Sequence, residues 1–508
     1  MDTLQFLMHG FAIALQWHNI LFAFVGVLIG TMVGVLPGIG PISGVALLIP
    51  VTASLTGGLR PEEAAASSII LLAGVYYGAM YGGSTTSILL NTPGESSSVA
   101  TVLDGYPMAK QGRAGAALSI SAIGSFVAGI ISLIGLVILA EPLSNLALKL
   151  GPAEHFSLMI LGLSALSGLA GKSVTKALIM TTLGLLLATI GMDTISGVAR
   201  FTFDLPELFQ GFEFLTVAVG VFALGEVFKT ILERESNNGE IARINRIFPT
   251  KQDLKDSVGP ILRGSFLGFF KGIVPGSGAT LASFLSYLLE KKISKNPEKF
   301  GKGAIEGVAG PESANNAASG GAMIPLLTLG IPGTGTTAVL MGALIMYNVQ
   351  PGPLLFSEHP TIAWGLIASM FIGNLMLLIL NMPLVKVFAK IIETPPKYLI
   401  PMIVAISFFG VYAVQLATFD LFVLIGFGIF GYFMTKQDYP MAPLVLGLVL
   451  GPMIENNLRR ALTISNGDYS VFVTRPASLI FLLIALLWVA VPVILKMKGK
   501  KVIVNEAA

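Results

Sequence analysis

Two stretches of the 508-residue sequence gather polar side chains among otherwise apolar neighbours. The first, GGSTTSILLNTPGESSSVAT (82–101), sets Ser84, Thr85, Thr86, Ser87, Asn91, Thr92, Glu95, Ser96, Ser97 and Ser98 around Pro93-Gly94. The second, GPESANNAASGG (310–321) followed by GIPGTGTTAV (330–339), sets Glu312, Ser313, Asn315, Asn316, Ser319, Thr334, Thr336 and Thr337 around Pro332-Gly333. A helix that starts just after Pro-Gly points unpaired N–H groups and partial positive charge at whatever lies in front of it, which suits an anion. The carbonyls ending the preceding half-helix, with Ser, Thr and Asn oxygens, suit a hard cation such as Na⁺. Together the two ends fit a carboxylate anion bound with sodium.

The candidate anion-binding set is Ser43, Ser84, Thr85, Thr86, Pro93, Gly94, Glu95, Ser96, Thr280, Asn315, Asn316, Pro332, Gly333, Thr334 and Thr336. Asn91, Thr92, Ser319 and Thr337 are candidate Na⁺ ligands. No catalytic residue and no cofactor beyond the coupling ion is expected. Against this stands a plainer role, because small and hydroxyl residues in membrane helices also serve as packing devices where backbones approach closely. Glu95 lies directly beside a break. Glu226 stands three residues from Lys229 and can form an interfacial pair, and Lys271 has a stem long enough to snorkel.

The elements carrying these residues lie in a membrane. The chain is 54% hydrophobic and 12% charged, with a mean hydropathy of +0.81. Apolar runs of about 20 residues, such as 116–140, 207–231, 362–385 and 476–495, are long enough to cross a hydrocarbon core of ~30 Å. The fold class is therefore an all-α polytopic membrane protein. With no cysteine and four scattered histidines, thiolate metal sites and Fe–S clusters are excluded and metal catalysis is disfavoured. Residues 1–18 have no Lys or Arg, so no cleaved signal with a basic start is read there, and the net charge of +3 gives no sign of nucleic-acid binding.

Two short motifs break the apolar pattern: VGVLPGIGP (33–41), with Pro37, Gly38 and Gly40, and FFKGIVPGSGAT (269–280), with Pro275, Gly276 and Gly278. Gly30, Gly34, Pro37, Gly38 and Gly40 match Gly268, Gly272, Pro275, Gly276 and Gly278 at a constant offset of 238. Forty-five residues after each proline comes a Gly-Gly pair, 82–83 and 320–321, and the second Pro-Gly follows the first proline by 56 and 57 residues. The spacing predicts a duplication.

Lys and Arg in short loops mark the cytoplasmic side. One threading places 23 of the 31 inside, in 104–115, 171–176, 229–259, 291–302, 386–397, at Lys436 and in the tail from Lys496. The external loops 1–18, 57–63, 141–154, 191–206 and 348–361 keep only Arg60, Lys149 and Arg200, while 456–475, with Arg459, Arg460 and Arg475, does not fit. Residues 260–290, flanked by basic loops, are expected to be a re-entrant hairpin whose arms, 260–274 and 279–290, of about 15 and 12 residues, reach only ~22 and ~18 Å. Residues 19–56 form the matching hairpin from the opposite face. The expected architecture is two inverted-topology repeats with re-entrant or broken helices: 1–231, a cytoplasmic linker 232–259, 260–475, and a final transmembrane helix and cytoplasmic tail 476–508. Inverted repeats with discontinuous helices point to a secondary transporter.

Other classes fare worse. SGLAGKS (167–173) ends like a Walker A motif, but residue 166 is leucine where the motif needs glycine, and Leu281 spoils a G-x-G-x-x-G after Gly276 and Gly278. An intramembrane enzyme has no base at readable spacing from a nucleophile. A passive anion channel stays open, separable by the absence of ion coupling.

The motifs GVLPGIGP, YYGAMYGGSTTSILLNTPGE, DGYPMAKQGRAGAAL, GIVPGSGATLASFLSY and GPESANNAASGGAMIPLLTLGIPG resemble the large membrane subunit of the tripartite tricarboxylate transporters, over nearly the whole chain. The segment RFTFDLPELFQGFEF (200–214) is similar to the family's external segment, with Asp204 where the family usually has glycine. The resemblance implies a bacterial inner-membrane, multi-pass symporter importing citrate or related carboxylates with a cation, usually sodium. It also implies two partners, a small membrane subunit and a periplasmic substrate-binding protein. Lys271 is not part of the family pattern.

Overall fold

The computed structural model describes residues 3–36, 40–169, 173–193, 196–233, 248–276, 278–384, 387–388, 390 and 396–497. Pro37 and Gly38 of the first break lie outside the described residues. Helices α1 (Thr3–Ala14), α2 (Trp17–Val35), α3 (Pro41–Thr56), α4 (Pro61–Leu90), α5 (Val99–Met108) and α6 (Ala114–Ala147) come first. Helices α7 (Pro152–Leu169), α8 (Val174–Leu187), α9 (Phe214–Ala218) and α10 (Gly225–Glu233) follow, the last two joined by a π-helical turn. The second half repeats the pattern as α11 (Lys251–Ile273), α12 (Gly278–Ile293), α13 (Glu306–Gly321), α14 (Met323–Leu329), α15 (Gly335–Met346), α16 (Leu355–Glu358) and α17 (Pro360–Asn381). Helices Pro396–Gln415, Thr418–Lys436, Ala442–Ile464 and Pro476–Met497 complete the described chain.

Among the described residues, seven helical stretches are long and apolar enough to cross a membrane. The chain is an all-α polytopic membrane protein, relieved among the described residues by a small antiparallel hairpin pairing Gly191–Met192 with Ala199–Arg200. Both expected arm lengths of the second hairpin need correction, since α12 runs 16 residues against about 12 expected. The first arm of the second hairpin is α11, which runs 23 residues from Lys251, or about 34 Å. It starts nine residues before the expected arm because Thr250 and Asp253 form a capping box that satisfies its first N–H groups.

Lipid gives no hydrophobic reason for two apolar helices to associate, so close packing must supply it. In α2, a methyl added at Gly26, Gly30 or Gly34 would lie 2.3, 2.4 or 2.2 Å from the carbonyl oxygen of Leu71, Val75 or Ala79 on α4. In α11, the same test at Gly264, Gly268 and Gly272 gives 2.3, 2.2 and 2.2 Å to the carbonyls of Gly310, Ala314 and Ala318 on α13. The glycines correspond at an offset of 238 and their partners at 239. Glycine at four-residue spacing lets the backbones touch, and both halves are built on the same contact.

Asp104 ties the halves together at one end. Its fully buried carboxylate accepts the backbone N–H groups of Gly301, Gly303 and Ala304 at 2.9, 2.8 and 2.8 Å and the Tyr287 hydroxyl at 2.9 Å. Near Thr250, Arg113 reaches Asp253 at 2.6 Å. Burial opposes ionisation of Asp253, but hydrogen bonds from Thr250 and the Arg113 charge outweigh it and hold the carboxyl below its usual range.

Of the arginines that did not fit the loop-charge threading, Arg459 and Arg475 are ion-paired. Arg459 bonds Asp193 at 2.9 Å and also reaches Glu455, Arg200 bonds Glu455 at 2.7 Å, and Arg475 bonds Glu154 at 3.1 Å. The Asp193 and Arg200 pairs join the end of Ala442–Ile464 to the loop holding the small hairpin, and the Glu154 pair joins Arg475 to the start of α7, both expected to be external, so that all lie at one end of the molecule.

Candidate functional site

Each half ends its long glycine-packed helix, or the helix following it, in a left-handed residue. Asn91 (φ 58°) closes α4 and Gly330 (φ 67°) closes α14, at an offset of 239. Pro93-Gly94 and Pro332-Gly333 then make the break, and the next helix begins with a capping box, at Glu95 with Ser98 and at Thr334 with Thr337. Proline after the turn withholds an N–H, while the capping side chain accepts one of the donors the break exposes.

Within each half the second break rests on the first. The Gly276 N–H donates to the Gly333 carbonyl at 3.0 Å, and a methyl on Gly94 would lie 2.5 Å from the Gly34 carbonyl. Gly276 and Gly278 have φ of 77° and 62°, a region that a side chain strains, so the turn of FFKGIVPGSGAT requires its glycines.

Between halves the contacts are reciprocal. Ser96 of the first half meets Thr280 of the second at 3.0 Å, hydroxyl to hydroxyl. Gly335, 239 residues after Ser96, lies against Ile42, 238 residues before Thr280. Likewise Asn315 Nδ2 donates to Glu95 Oε1 at 2.9 Å, and the residue 239 before Asn315, Tyr76, places its hydroxyl beside Thr334 and Ser319.

The second breaks of both halves thus converge on one polar centre made of Glu95, Asn315, Tyr76, Ser319 and Thr334. Ser97 also donates to Glu95. Asn315 is fully buried, and its Oδ1 finds no hydrogen-bond partner among the described residues. The buried Tyr76 hydroxyl stands beside Ser319 and Thr334 without a well-formed hydrogen bond to either. Polar atoms sealed from water are normally paired, so the orphan amide oxygen at this centre marks a place where another molecule would complete the bonding.

The two helix starts differ in electrostatics. At Glu95 the cap is itself a carboxylate, so that N-terminus already faces negative charge and favours a cation or a hydroxyl. At Thr334 the cap is a neutral hydroxyl, leaving Gly335, Thr336 and Thr337 on an N-terminus whose dipole still favours an anion.

Not every expected residue reaches this centre. Ser43 bonds the Phe222 carbonyl at 3.2 Å, and Thr86 bonds the Gly83 carbonyl within its own helix at 3.1 Å. Thr85 is buried on α4. Ser84 donates to Glu312, which is fully buried and also accepts from Thr101, with Ser121 alongside. Asn316 reaches Ser125 at 2.7 Å, and its Oδ1 is another buried orphan.

The four candidate Na⁺ ligands each hold a local role. Asn91 is an exposed cap, Thr92 leans on the Leu90 carbonyl at 3.4 Å, Ser319 bonds the Asn315 carbonyl at 3.1 Å, and Thr337 closes the capping box. Glu226 sits 3.7 Å from Lys229, in keeping with the interfacial pairing. Tyr76, Thr101 and Ser121 were not singled out by residue type. Aligning the halves at 239 would have exposed Tyr76 as the mate of Asn315, whereas no spacing in the chain brings Ser121 of α6 to α13.

A cavity of about 570 Å³ opens elsewhere, on the flank of α1 and α6, where Glu141 is already bonded by Thr3. None of the described break residues lines it.

The family described as "Tripartite tricarboxylate transporter TctA family" matches residues 20–446. An uncharacterized 52.8 kDa protein in the TAR-I ttuC' 3'region of Agrobacterium vitis is 47% identical over 508 residues, the whole of both chains. A second, an uncharacterized protein in the TAR-II ttuC' 3'region of the same organism, is 47% identical over 234 residues, 46% of this chain and 97% of that one. No solved structure matches. The matched span holds all four helix breaks, the Glu95–Asn315 contact and the Asp104 tie, and on that footing the chain belongs to the tripartite tricarboxylate transporter TctA family.

Proposed function

We propose that the chain is the permease subunit that imports tricarboxylates such as citrate, or related carboxylates, across a bacterial inner membrane by symport with a cation, sodium in the first instance. In this reading a small membrane subunit and a periplasmic substrate-binding protein work with it. One substrate carboxylate sits at the Thr334 helix start, within reach of the Tyr76 hydroxyl and the Asn315 amide. Glu95 faces the same centre and favours the accompanying cation.

The observation that carries this reading is the convergence of two helix breaks, one from each half, on a buried amide oxygen left without a partner among the described residues. The reciprocal contacts support a two-fold relation between halves. The opposite charge of the loops after the two second breaks supports an axis in the membrane plane, hence inverted repeats. Such a pair can rock about a central site, exposing it to one side at a time.

The test is counterflow of radiolabelled citrate and other carboxylates in proteoliposomes, with and without Na⁺ and the binding protein. Symport predicts uptake that needs both and that is lost in Asn315→Ala. Uptake indifferent to sodium and to the gradient would establish a passive channel instead. For the inversion, single cysteines at 60 and 298 in this cysteine-free chain should label from opposite faces, and labelling from one face would reject it.

A further inference from the structure

We infer that Glu312 is a binding site for a monovalent cation, with Ser84, Thr101 and Ser121 completing its oxygen shell. The inference rests on the proposed cation-coupled transport and names where the ion binds.

The side chain of Glu312 is fully buried near the middle of the glycine-packed helix α13. Ser84 on α4 donates to Oε2 and Thr101 on α5 donates to Oε1, while Ser121 on α6 stands against the same carboxyl. Among the described residues no Lys, Arg or His pairs with it. Hydrogen bonds donated to both oxygens favour the ionised carboxylate, while burial opposes it. Yet an isolated buried anion costs several kcal/mol unless a positive charge joins it. The protein supplies hydroxyls but no cationic side chain.

An ion of single charge meets both demands. The carboxylate neutralises it, and each hydroxyl keeps lone pairs with which to coordinate while its proton turns elsewhere. Asn316, one turn further along α13, adds a buried amide oxygen with no partner among the described residues. A divalent ion is a poorer fit, because no group of three His, Cys, Asp or Glu side chains converges among the described residues.

The location also gives the ion leverage. Three of the oxygens belong to the first half and the carboxylate to the second, so occupancy bonds the halves together. Glu312 stands three residues before Asn315, and its charge repels Glu95, the partner of Asn315. Neutralising Glu312 strengthens the Glu95–Asn315 arrangement beside the proposed substrate position. Sodium thereby favours the state that holds substrate.

Equilibrium binding of ²²Na⁺ to the purified full chain in detergent tests the site without requiring transport. Wild type should bind saturably, Glu312→Gln should lose at least tenfold in affinity, and Thr101→Val and Ser84→Ala should each weaken binding several-fold. Glu141→Gln, on the distant α1–α6 flank, should keep it. Monodispersity on size exclusion checks that each variant is folded; if Glu312→Gln is not, Thr101→Val decides. Unchanged ²²Na⁺ affinity in the folded variants would overturn the site, as would a wild type that takes up protons but binds no sodium. Sodium binding lost in Glu312→Gln while wild type shows no carboxylate counterflow would leave the cation site standing and reject the transport reading.

Discussion

Asn315 Nδ2 lies 2.9 Å from Glu95 Oε1, joining the second half of the chain to the helix break of the first. Losing one partner of a buried hydrogen bond leaves the other underserved, at a cost of ~1–3 kcal/mol. Asn315→Ala should therefore lower counterflow by tenfold or more and lower the melting temperature by a few degrees. Asn315→Asp, which sets two carboxyls in contact, should be worse. Equal activity of both variants and wild type would remove this contact from the mechanism.

The glycine stripes predict sharply position-dependent tolerance. Gly268→Ala would put a methyl 2.2 Å from the backbone carbonyl of Ala314, where neither helix can yield without parting from the other. Overpacking of this kind costs ~1–3 kcal/mol or more, so the variant should express poorly or melt early in detergent. Gly426→Ala, with open space around the added carbon, should behave as wild type. Scanning fluorimetry on the pair gives the comparison.

Asp104 should prove a structural tie. Truncation to alanine strands three backbone N–H groups and the Tyr287 hydroxyl, each unsatisfied donor costing ~1–3 kcal/mol. The expected result is a large fall in melting temperature for Asp104→Ala and a small one for Tyr287→Phe. Comparable losses in the two would show that the backbone bonds contribute little.

The capping carboxylate Asp253 gives a pH signature. Its pKa is lower in the folded protein than the ~3.9 of a free aspartate, so the folded state favours the ionised form. Its stabilisation is complete above about pH 5 and is lost as pH falls through the folded value below about 4. The melting-temperature difference between wild type and Asp253→Asn should be constant from pH 7 to 5 and shrink on further acidification. A difference that grows on acidification would reverse the assignment.

The arginine pairs predict sidedness. Cysteines placed at 203 and 466 should label from the same face, since Arg459–Asp193 and Arg200–Glu455 bind those loops together, and a cysteine at 298 from the other. Labelling of 466 together with 298 would separate the two loops.

Hydropathy, loop charge and the 238-residue repeat made the membrane class, the helix breaks and the polar stretches readable from the chain, because lipid permits few ways to satisfy a backbone and each leaves a mark in residue type. The start of α11 was missed by nine residues, since a polar capping box inside a basic loop looks like more loop. The arginines at 459 and 475 looked misplaced because charge counting does not see their acids, which lie hundreds of residues away in sequence. The second breaks were evident as break sites, but not that they meet across the two halves, nor that Ser43 and Ser84 turn to other partners. Period and composition act along one helix at a time and settle which positions are polar. Which polar atoms find each other is settled only when glycine-packed helices fix the distance between halves, pairing Glu95 with Asn315 and setting Tyr76 beside Ser319 and Thr334.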